Sequence, residues 1–535
     1  MKKSLISFLG ILLLIPVGVV SAQTPANEFV YNNSAEPESL DPHRLTTHND
    51  GLLVLQMFEG LLTRDRDYTT LKGAAAEKWD ISKDGKTYTF TIRPNLKWSN
   101  GDPLTLEHIR NSFIRALDPL VSNQYILWYT DTIVGARELA DGFKNADKRK
   151  ELEEKFGVKI KGKNQIQIIL KAPSAAFIQY VTQPPFSFVH PSMYDPQSKA
   201  WNDPSKFIVN GAYKMTEWKV NQAVKLEKNP QFREANSVAI PKITAMAMND
   251  EGATLNLFRT NKIDWTGEST LSSTRVPSLR GDPAFRITPY FATATYLFNM
   301  TRAPFTDVRV RRALSLAIHR AELADKVMKG GQIPTTRFIP PGVKNYEYPV
   351  VPPKPFDRSI EEAKKLLAAA GFPEGKNFPK AVILYNTQEQ NHRVAQAIQQ
   401  MWKKYLNINL ELQNMEWKVF IQEQRARHFD VSRQSWIADY PDPAQLLDIY
   451  MSDSGNNHTG WANAKFDKLL RDSASEMNVK KRMAMLGQAE KILMEEVPVV
   501  PLYHSVYFSL MSPRMEGFQT NMFGMYQFRY LSKKK

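Results

Sequence analysis

Between residues 382 and 436 the spacing of apolar residues alternates through five segments, from the two-residue period of a strand to the longer period of a helix and back. Few arrangements of a chain satisfy such a pattern. It predicts strands over 382–385, 408–412 and 429–436, separated by helices over 388–405 and 418–427. Strands joined through helices run parallel, and a sheet built this way takes its ligands beyond the carboxyl ends of its strands. The pattern therefore specifies an α/β fold and, within it, the edge at which to look for a site.

The last of these strands runs into Arg433-Gln434-Ser435-Trp436-Ile437-Ala438-Asp439-Tyr440-Pro441-Asp442-Pro443. Asp439 stands at the carboxyl edge, between apolar residues and a proline-rich turn. A carboxylate beside Trp436, Ile437 and Ala438 loses much of its hydration, at a cost of several kcal/mol unless a cation with hydrogen-bond donors meets it. The ammonium group of a ligand would meet that need. The competing reading is a cap or turn-forming Asp ahead of Pro441.

Lys2, Lys3, an apolar run over 5–20 and the small-residue site Val20-Ser21-Ala22 read as a secretory signal peptide, with the mature chain beginning at Gln23. No later segment offers the roughly 18 consecutive apolar residues of a spanning helix, so a soluble exported product is expected. The chain has no cysteine, which excludes disulfides, thiol catalysis, thiolate metal sites and lipid attachment through an N-terminal Cys. Its stability must come from packing alone. At 535 residues the chain far exceeds the roughly 250–300 at which single cores stop growing, so at least two domains are expected. The net charge of +15 is spread along the chain, with one terminal run at Lys533-Lys534-Lys535, and reads as a device for solubility rather than for binding nucleic acid.

Other segments carry local signals. A strand is expected over 28–33 and a helix over about 50–61. Hairpins are expected over 77–93, turning at Lys83-Asp84-Gly85-Lys86, and over 159–170, turning at Gly162-Lys163-Asn164. Thr105 should begin a helix to 117, and a strand-rich stretch should cover 213–226. Thr306 is expected to cap a helix reaching about residue 328, followed by a proline-rich loop over 338–354. Ser359-Ile360-Glu361-Glu362 has the form of a capping box, and Gly371 with Pro373 should end the helix it starts. Enzyme signatures such as a nucleophile elbow, P-loop, HExxH or Gly-rich dinucleotide loop are missing. His43, His190, His392 and His458 stand isolated, so neither a metal nor a cofactor is expected.

Several short motifs, in order along nearly the whole mature chain, resemble one family. They include Ser39-Leu40-Asp41-Pro42-His43, Phe58-Glu59-Gly60-Leu61-Leu62, Ala76-Glu77-Lys78-Trp79-Asp80, Leu96-Lys97-Trp98-Ser99-Asn100-Gly101, Asn210-Gly211-Ala212-Tyr213, Phe305-Thr306-Asp307-Val308-Arg309, Leu384-Tyr385-Asn386-Thr387, Glu416-Trp417-Lys418 and Trp436-Ile437-Ala438-Asp439-Tyr440. The chain resembles the large extracytoplasmic solute-binding proteins of peptide-importing ABC transporters. The resemblance implies the two-lobed periplasmic binding protein fold with an additional domain inserted in the N-terminal lobe. Carried onto this chain, the base lobe covers 24–52, 196–290 and 508–535, the additional domain 53–195 and the C-terminal lobe 291–507. It also implies a periplasmic, monomeric receptor whose partners are short peptides and the permease subunits of an inner-membrane ABC transporter.

The resemblance further implies that Asp439 pairs with the ligand's α-ammonium and that the backbone at Ser435 and Ile437 pairs with an extended ligand. Arg433 matches a basic residue that the family uses for the ligand carboxylate; a surface ion pair is its alternative. Trp417 and Trp436 are candidate pocket walls, against a place in the core. Glu36 aligns with a carboxylate near the ligand, against a loop role. A second family arginine falls at Gln424, with Arg425 and Arg427 nearby, and a family histidine falls at Asn391, one residue before His392. Two further functions stay open from the sequence: a receptor of the same fold for murein peptides, and a secreted hydrolase using Asp439 and Glu36 as paired carboxylates.

Overall fold

A six-stranded mixed sheet separates two of the protein's hydrophobic cores, and its strand order determines where the ligand edge lies. In the computed structural model, which describes residues 23–534 apart from 46, 269 and 349–355, the order is Ile333–Pro334, Val499–Leu510, Phe285–Phe298, Val431–Ile437, Val382–Asn386, Glu411–Met415. The expected signal peptide and part of the proline-rich loop lie outside the described residues. Alternation along each strand covers both faces: Tyr296, Phe298 and Ile383 enter one core, Leu297 and Leu384 the other. The helices Glu389–Leu406 and Trp417–Arg425 connect the three strands of the pattern from which the fold was read, and those three pair in parallel.

A second sheet, ordered Glu28–Asn32, Lys242–Met246, Ala223–Lys228, Tyr213–Lys219, has its own core around Phe29, Tyr31, Tyr213 and Trp265. A third, antiparallel sheet of Ala76–Ile81, Thr87–Ile92, Gln165–Ile169 and Val158–Lys161 packs against the helix Leu106–Arg115. Its two hairpins turn at Gly85 and Gly162, which take φ of +69° and +59°, left-handed values that a side chain disfavours. Thr105 accepts from His108 N and caps its helix as expected. The architecture is the two-lobed α/β fold with an added domain.

Three local expectations are corrected by packing. The helix expected from Thr306 is capped by Asp307 and stops at Leu316; a new helical turn then starts behind His319, whose Nδ1 accepts from Glu322 N. The helix expected to begin at Ser359 already includes Phe356, the first described residue after 355, so Ser359 lies inside it; the Phe356 ring packs between His319 and Tyr405. The strand expected over 408–412 lies at Glu411–Met415: Ile408 and Leu410 are buried in the core while the chain leaves the helix through Asn407 at φ +55°. Lys533, in the terminal basic run, is bonded to the buried Asp264, 2.9 Å away.

The lobes are joined by the paired strands Phe285–Phe298 and Val499–Leu510. Their register runs from Phe285↔Leu510 to Pro289↔Val506, breaks, and resumes at Thr293↔His504, leaving Tyr290, Phe291 and Ala292 opposite Ser505 alone. Such a bulge bends a ribbon, and here it falls where the chain passes from one lobe's core to the other's. Beside it Tyr290 and Tyr507 stack with ring centroids 3.9 Å apart, and Tyr526 donates a hydrogen bond to Glu268 Oε1. The other Glu268 oxygen is buried without a hydrogen-bond partner among the described residues. Burial pushes this carboxyl up to about 8.

Two predictions follow from these buried charges. Arg115 reaches from the added domain into the base, donating to both Asp41 oxygens at 3.0 and 2.5 Å and to His43 Nδ1 at 2.9 Å. Arg115→Met strands the Asp41 carboxylate and should destabilise the molecule by about 3–5 kcal/mol, read as a lowered unfolding transition in calorimetry. For Glu268 the folded pKa lies above the unfolded one, so its contribution is complete at acid pH and is lost as pH rises from about 4.5 toward 8. Glu268→Gln should therefore unfold at a higher temperature than the parent near pH 8, with the gap closing near pH 5; a gap that does not depend on pH contradicts the assignment.

Candidate functional site

The strand Val382–Asn386 pairs with Glu411–Met415 along its whole length, but with Val431–Ile437 only through Ile383↔Val431 and Leu384↔Ser432. The chain leaves to one side of Val382–Asn386 and returns on the other, so the carboxyl ends diverge and open a crevice. On its far side Val431–Ile437 is paired throughout, Phe298↔Val431 to Ala292↔Ile437. The flanking bonds Asn299 N→Asp430 O and Ala438 N→Phe291 O, 2.9 and 3.1 Å, establish which groups that ladder uses. Even-numbered residues bond to Phe285–Phe298, so Arg433, Ser435 and Ile437 turn their N–H and C=O toward the crevice. Gln424 Nε2 takes the Arg433 carbonyl at 3.0 Å. The edge at Ser435 and Ile437 has no strand beside it among the described residues.

The side chains follow the same two-residue alternation. Ser432 and Gln434 are buried, whereas Arg433 and Ser435 are half-buried and Ile437 is 51% exposed. Arg433 Nη1 lies 3.3 Å from Asn386 Oδ1, and no described carboxylate comes within ion-pair distance of its guanidinium. Enclosure lowers the affinity of Arg433 for its proton, an effect opposed by Tyr503 and Tyr296 nearby. Asp439 continues the open face beyond the strand. Solvent reaches its side chain, so the expectation of a carboxylate shut away from water is met only in part. The protein crowds it nonetheless, and this desolvation raises its carboxyl above the ordinary value against a lowering hydrogen bond from Gln445. No described Lys or Arg pairs with it.

Segments far apart in the chain come together around Asp439 and Tyr440. Tyr440, the next residue, meets the rings of Trp128 and Tyr180 from the added domain edge-on at 5.9 and 5.6 Å, and Trp128 and Tyr180 stack on each other at 4.8 Å. The Tyr125 and Tyr68 hydroxyls feel the Asp439 charge. None of these tyrosines, nor Gln445, emerged from the sequence. They lie in segments hundreds of residues away or in a short helix with no periodic signal, and the general enrichment of aromatics around 125–129 was the only available hint.

The remaining candidates divide. Trp417 is 52% exposed at the carboxyl end of Glu411–Met415, stacked on Phe420, and so lies on the crevice side rather than in the core. Trp436 is half-buried against the second core. Asn391 is buried and donates to Asn386 Oδ1 at 2.9 Å, so it orients the residue that meets Arg433. His392 is exposed, its Nδ1 2.7 Å from Tyr385 Oη. Gln424, at the position of the second family arginine, is buried and spent on Ser432 Oγ and the Arg433 carbonyl. Glu36 accepts from Trp218 Nε1 at 2.7 Å and Asn221 N at 2.9 Å, which commits both oxygens to the hairpin of the base sheet rather than to a partnership with Asp439. No cluster of three or more potential metal-ligating His, Asp or Glu side chains occurs among the described residues.

An unpaired strand edge, an open carboxylate and an enclosed arginine without a counter-ion together form a surface suited to an extended chain with charged ends. Comparisons with known proteins agree with the geometry. The periplasmic oligopeptide-binding protein OppA of Salmonella typhimurium is 33% identical over 539 residues, covering 97% of this chain and 96% of its own. The unliganded open form of the murein tripeptide-binding protein MppA superimposes with a TM-score of 0.84 at 29% identity, covering 96% of this chain and 98% of that one. OppA of Haemophilus influenzae in complex with the peptide RPPGFSPFR gives 0.72, also at 29% identity, over 96% and 100%. A family model of bacterial extracellular solute-binding proteins, family 5, matches residues 70–458, and the chain belongs to that family.

Proposed function

We propose that this protein is an exported receptor that encloses short peptides between its lobes and hands them to an inner-membrane ABC importer. The observation that carries the reading is the unpaired edge at Ser435 and Ile437, flanked by Asp439 at one end and Arg433 at the other, neither with a counter-ion among the described residues. An added strand bonds through its main chain, so affinity does not depend on ligand sequence. Asp439 takes the α-ammonium. Arg433 takes the terminal carboxylate of ligands that reach it; six residues of extended chain separate the two, on the order of 20 Å, the span of a peptide of up to about six residues.

Side chains of the ligand point away from the pairing edge into the crevice between the sheet and the added domain, past Trp417 and the exposed Ile437. Water in such pockets adapts to many residue types at low cost, which favours breadth over selectivity. The register break between the crossover strands gives the lobes a place to bend over the ligand. The reading includes a cleaved N-terminal export signal and a monomer in solution. Among the described residues no helix is long and apolar enough to cross a membrane.

Incubation with a mixture of ordinary peptides and murein fragments, followed by native mass spectrometry of bound and free fractions, tests the function. Intact ordinary peptides are expected in the bound fraction; enrichment of murein peptides would redirect the specificity, and cleavage products would point to a hydrolase. Charge-assisted hydrogen bonds to the ammonium are worth about 2–3 kcal/mol, so Asp439→Asn should weaken peptide binding by roughly 30- to 150-fold in calorimetry. N-acetylation of the peptide should cost the parent a similar factor and the variant little more. Arg433→Gln should weaken peptides with a free carboxylate at the matching length while leaving their C-terminal amides unchanged.

A further inference from the structure

Gln445 makes two hydrogen bonds to Asp439 and a third to the next residue. Its Oε1 accepts from Asp439 N and, at 3.3 Å, from Tyr440 N, and its Nε2 donates to Asp439 Oδ2 at 3.2 Å. Two backbone donors on one atom settle which way the carboxamide faces: the oxygen must meet the N–H groups, so the nitrogen is turned to the carboxylate. The other Asp439 oxygen accepts no hydrogen bond from a described residue. The loop carrying this arrangement is held from behind, where Asp442 N donates to Tyr440 O and the buried Arg482 donates to Asp442 Oδ1 at 2.9 Å.

The choice of an amide has a consequence that a cationic side chain would not have. Lys or Arg in place of Gln445 would orient Asp439 equally well but would neutralise it, and an arriving ammonium would have to displace a resident cation. An amide donor stabilises the ionised carboxylate and orients it while leaving its full charge available. We infer that Gln445 is a positioning residue for ligand capture, holding Asp439 ionised and aimed with one oxygen free for the α-ammonium. The inference rests on the assignment of Asp439 to the ligand's amino end.

The test compares one peptide with its N-acetylated form by calorimetry, in the parent, Gln445→Ala, Gln445→Glu and Asp439→Asn, across about pH 4 to pH 8. Gln445→Glu keeps an acceptor for the two N–H groups, so the loop is retained, but turns an oxygen toward Asp439 in place of the donor. Thermal unfolding checks that each variant is folded. Gln445→Ala is expected to weaken the free-amino peptide by about tenfold and to leave the N-acetylated peptide unchanged. In both Gln445 variants the acid midpoint of binding should move to higher pH, since the donor that favours the ionised carboxylate is gone.

Equal losses for both peptides would reduce Gln445 to a loop-building residue and overturn the inference. So would an unmoved midpoint in Gln445→Glu. If Asp439→Asn and N-acetylation each weaken binding while both Gln445 variants behave as the parent, the inference alone fails. If Asp439→Asn and N-acetylation have no effect, the assignment of Asp439 fails, and this inference with it.

Discussion

The structure turns on a strand that is paired on one side and abandoned on the other. Val431–Ile437 is bonded to Phe285–Phe298 along its length, but its second neighbour, Val382–Asn386, accompanies it for two residues only. Backbone N–H and C=O groups that face a crevice without partners are costly to dry. When the lobes fold over such an edge, something must supply the missing bonds. A peptide backbone can do so whatever its side chains, and broad recognition follows from the main chain itself.

In the proposed function two charges receive the ligand's ends. Asp439 and Arg433 are both crowded by protein and both lack an opposite charge among the described residues. Several other buried charges do meet an opposite charge. Arg115 meets Asp41, Arg482 meets Asp442, Arg233 and Arg529 meet Glu59, and Lys533 meets Asp264. The two charges along the crevice are instead held by neutral amides: Gln445 on Asp439, Asn386 on Arg433. Neutral partners orient a charge without cancelling it, which is the condition for exchanging ligands.

The bulge in the crossover strands lies near this site. Tyr290, in the unpaired stretch, is stacked on Tyr507 and feels both Glu268 in the base and Asp439 in the other lobe. The added domain is tied to the C-terminal lobe by the aromatic contacts around Tyr440 and by Ala175 N→Ala474 O, 3.0 Å. Asp439 and Tyr440 are thus approached by segments far apart in the chain, with the register break close by.

Much of this was legible in the chain because it depends on local periodicity. The alternation over 382–436 predicted the parallel strands and the edge carrying Asp439, Arg433, Ser435 and Ile437; Gly85, Gly162 and Thr105 announced their turns and cap through backbone chemistry that a single residue dictates. Segment ends were read less well wherever packing overrode propensity, as at Glu411–Met415, displaced by the burial of Ile408 and Leu410. The partners of the site residues were invisible. Glu36 was drawn into a distant hairpin by Trp218 and Asn221, Asn391 donates to Asn386, Tyr125 comes near Asp439, and Trp128 and Tyr180 meet the adjacent Tyr440 across more than 250 residues of sequence. The sequence alone determined which residues would be extended, turned or amphipathic, since those properties belong to neighbours in the chain. Only the tertiary structure decided which charges would be cancelled and which left waiting, because that depends on what long-range folding brings within a few ångströms.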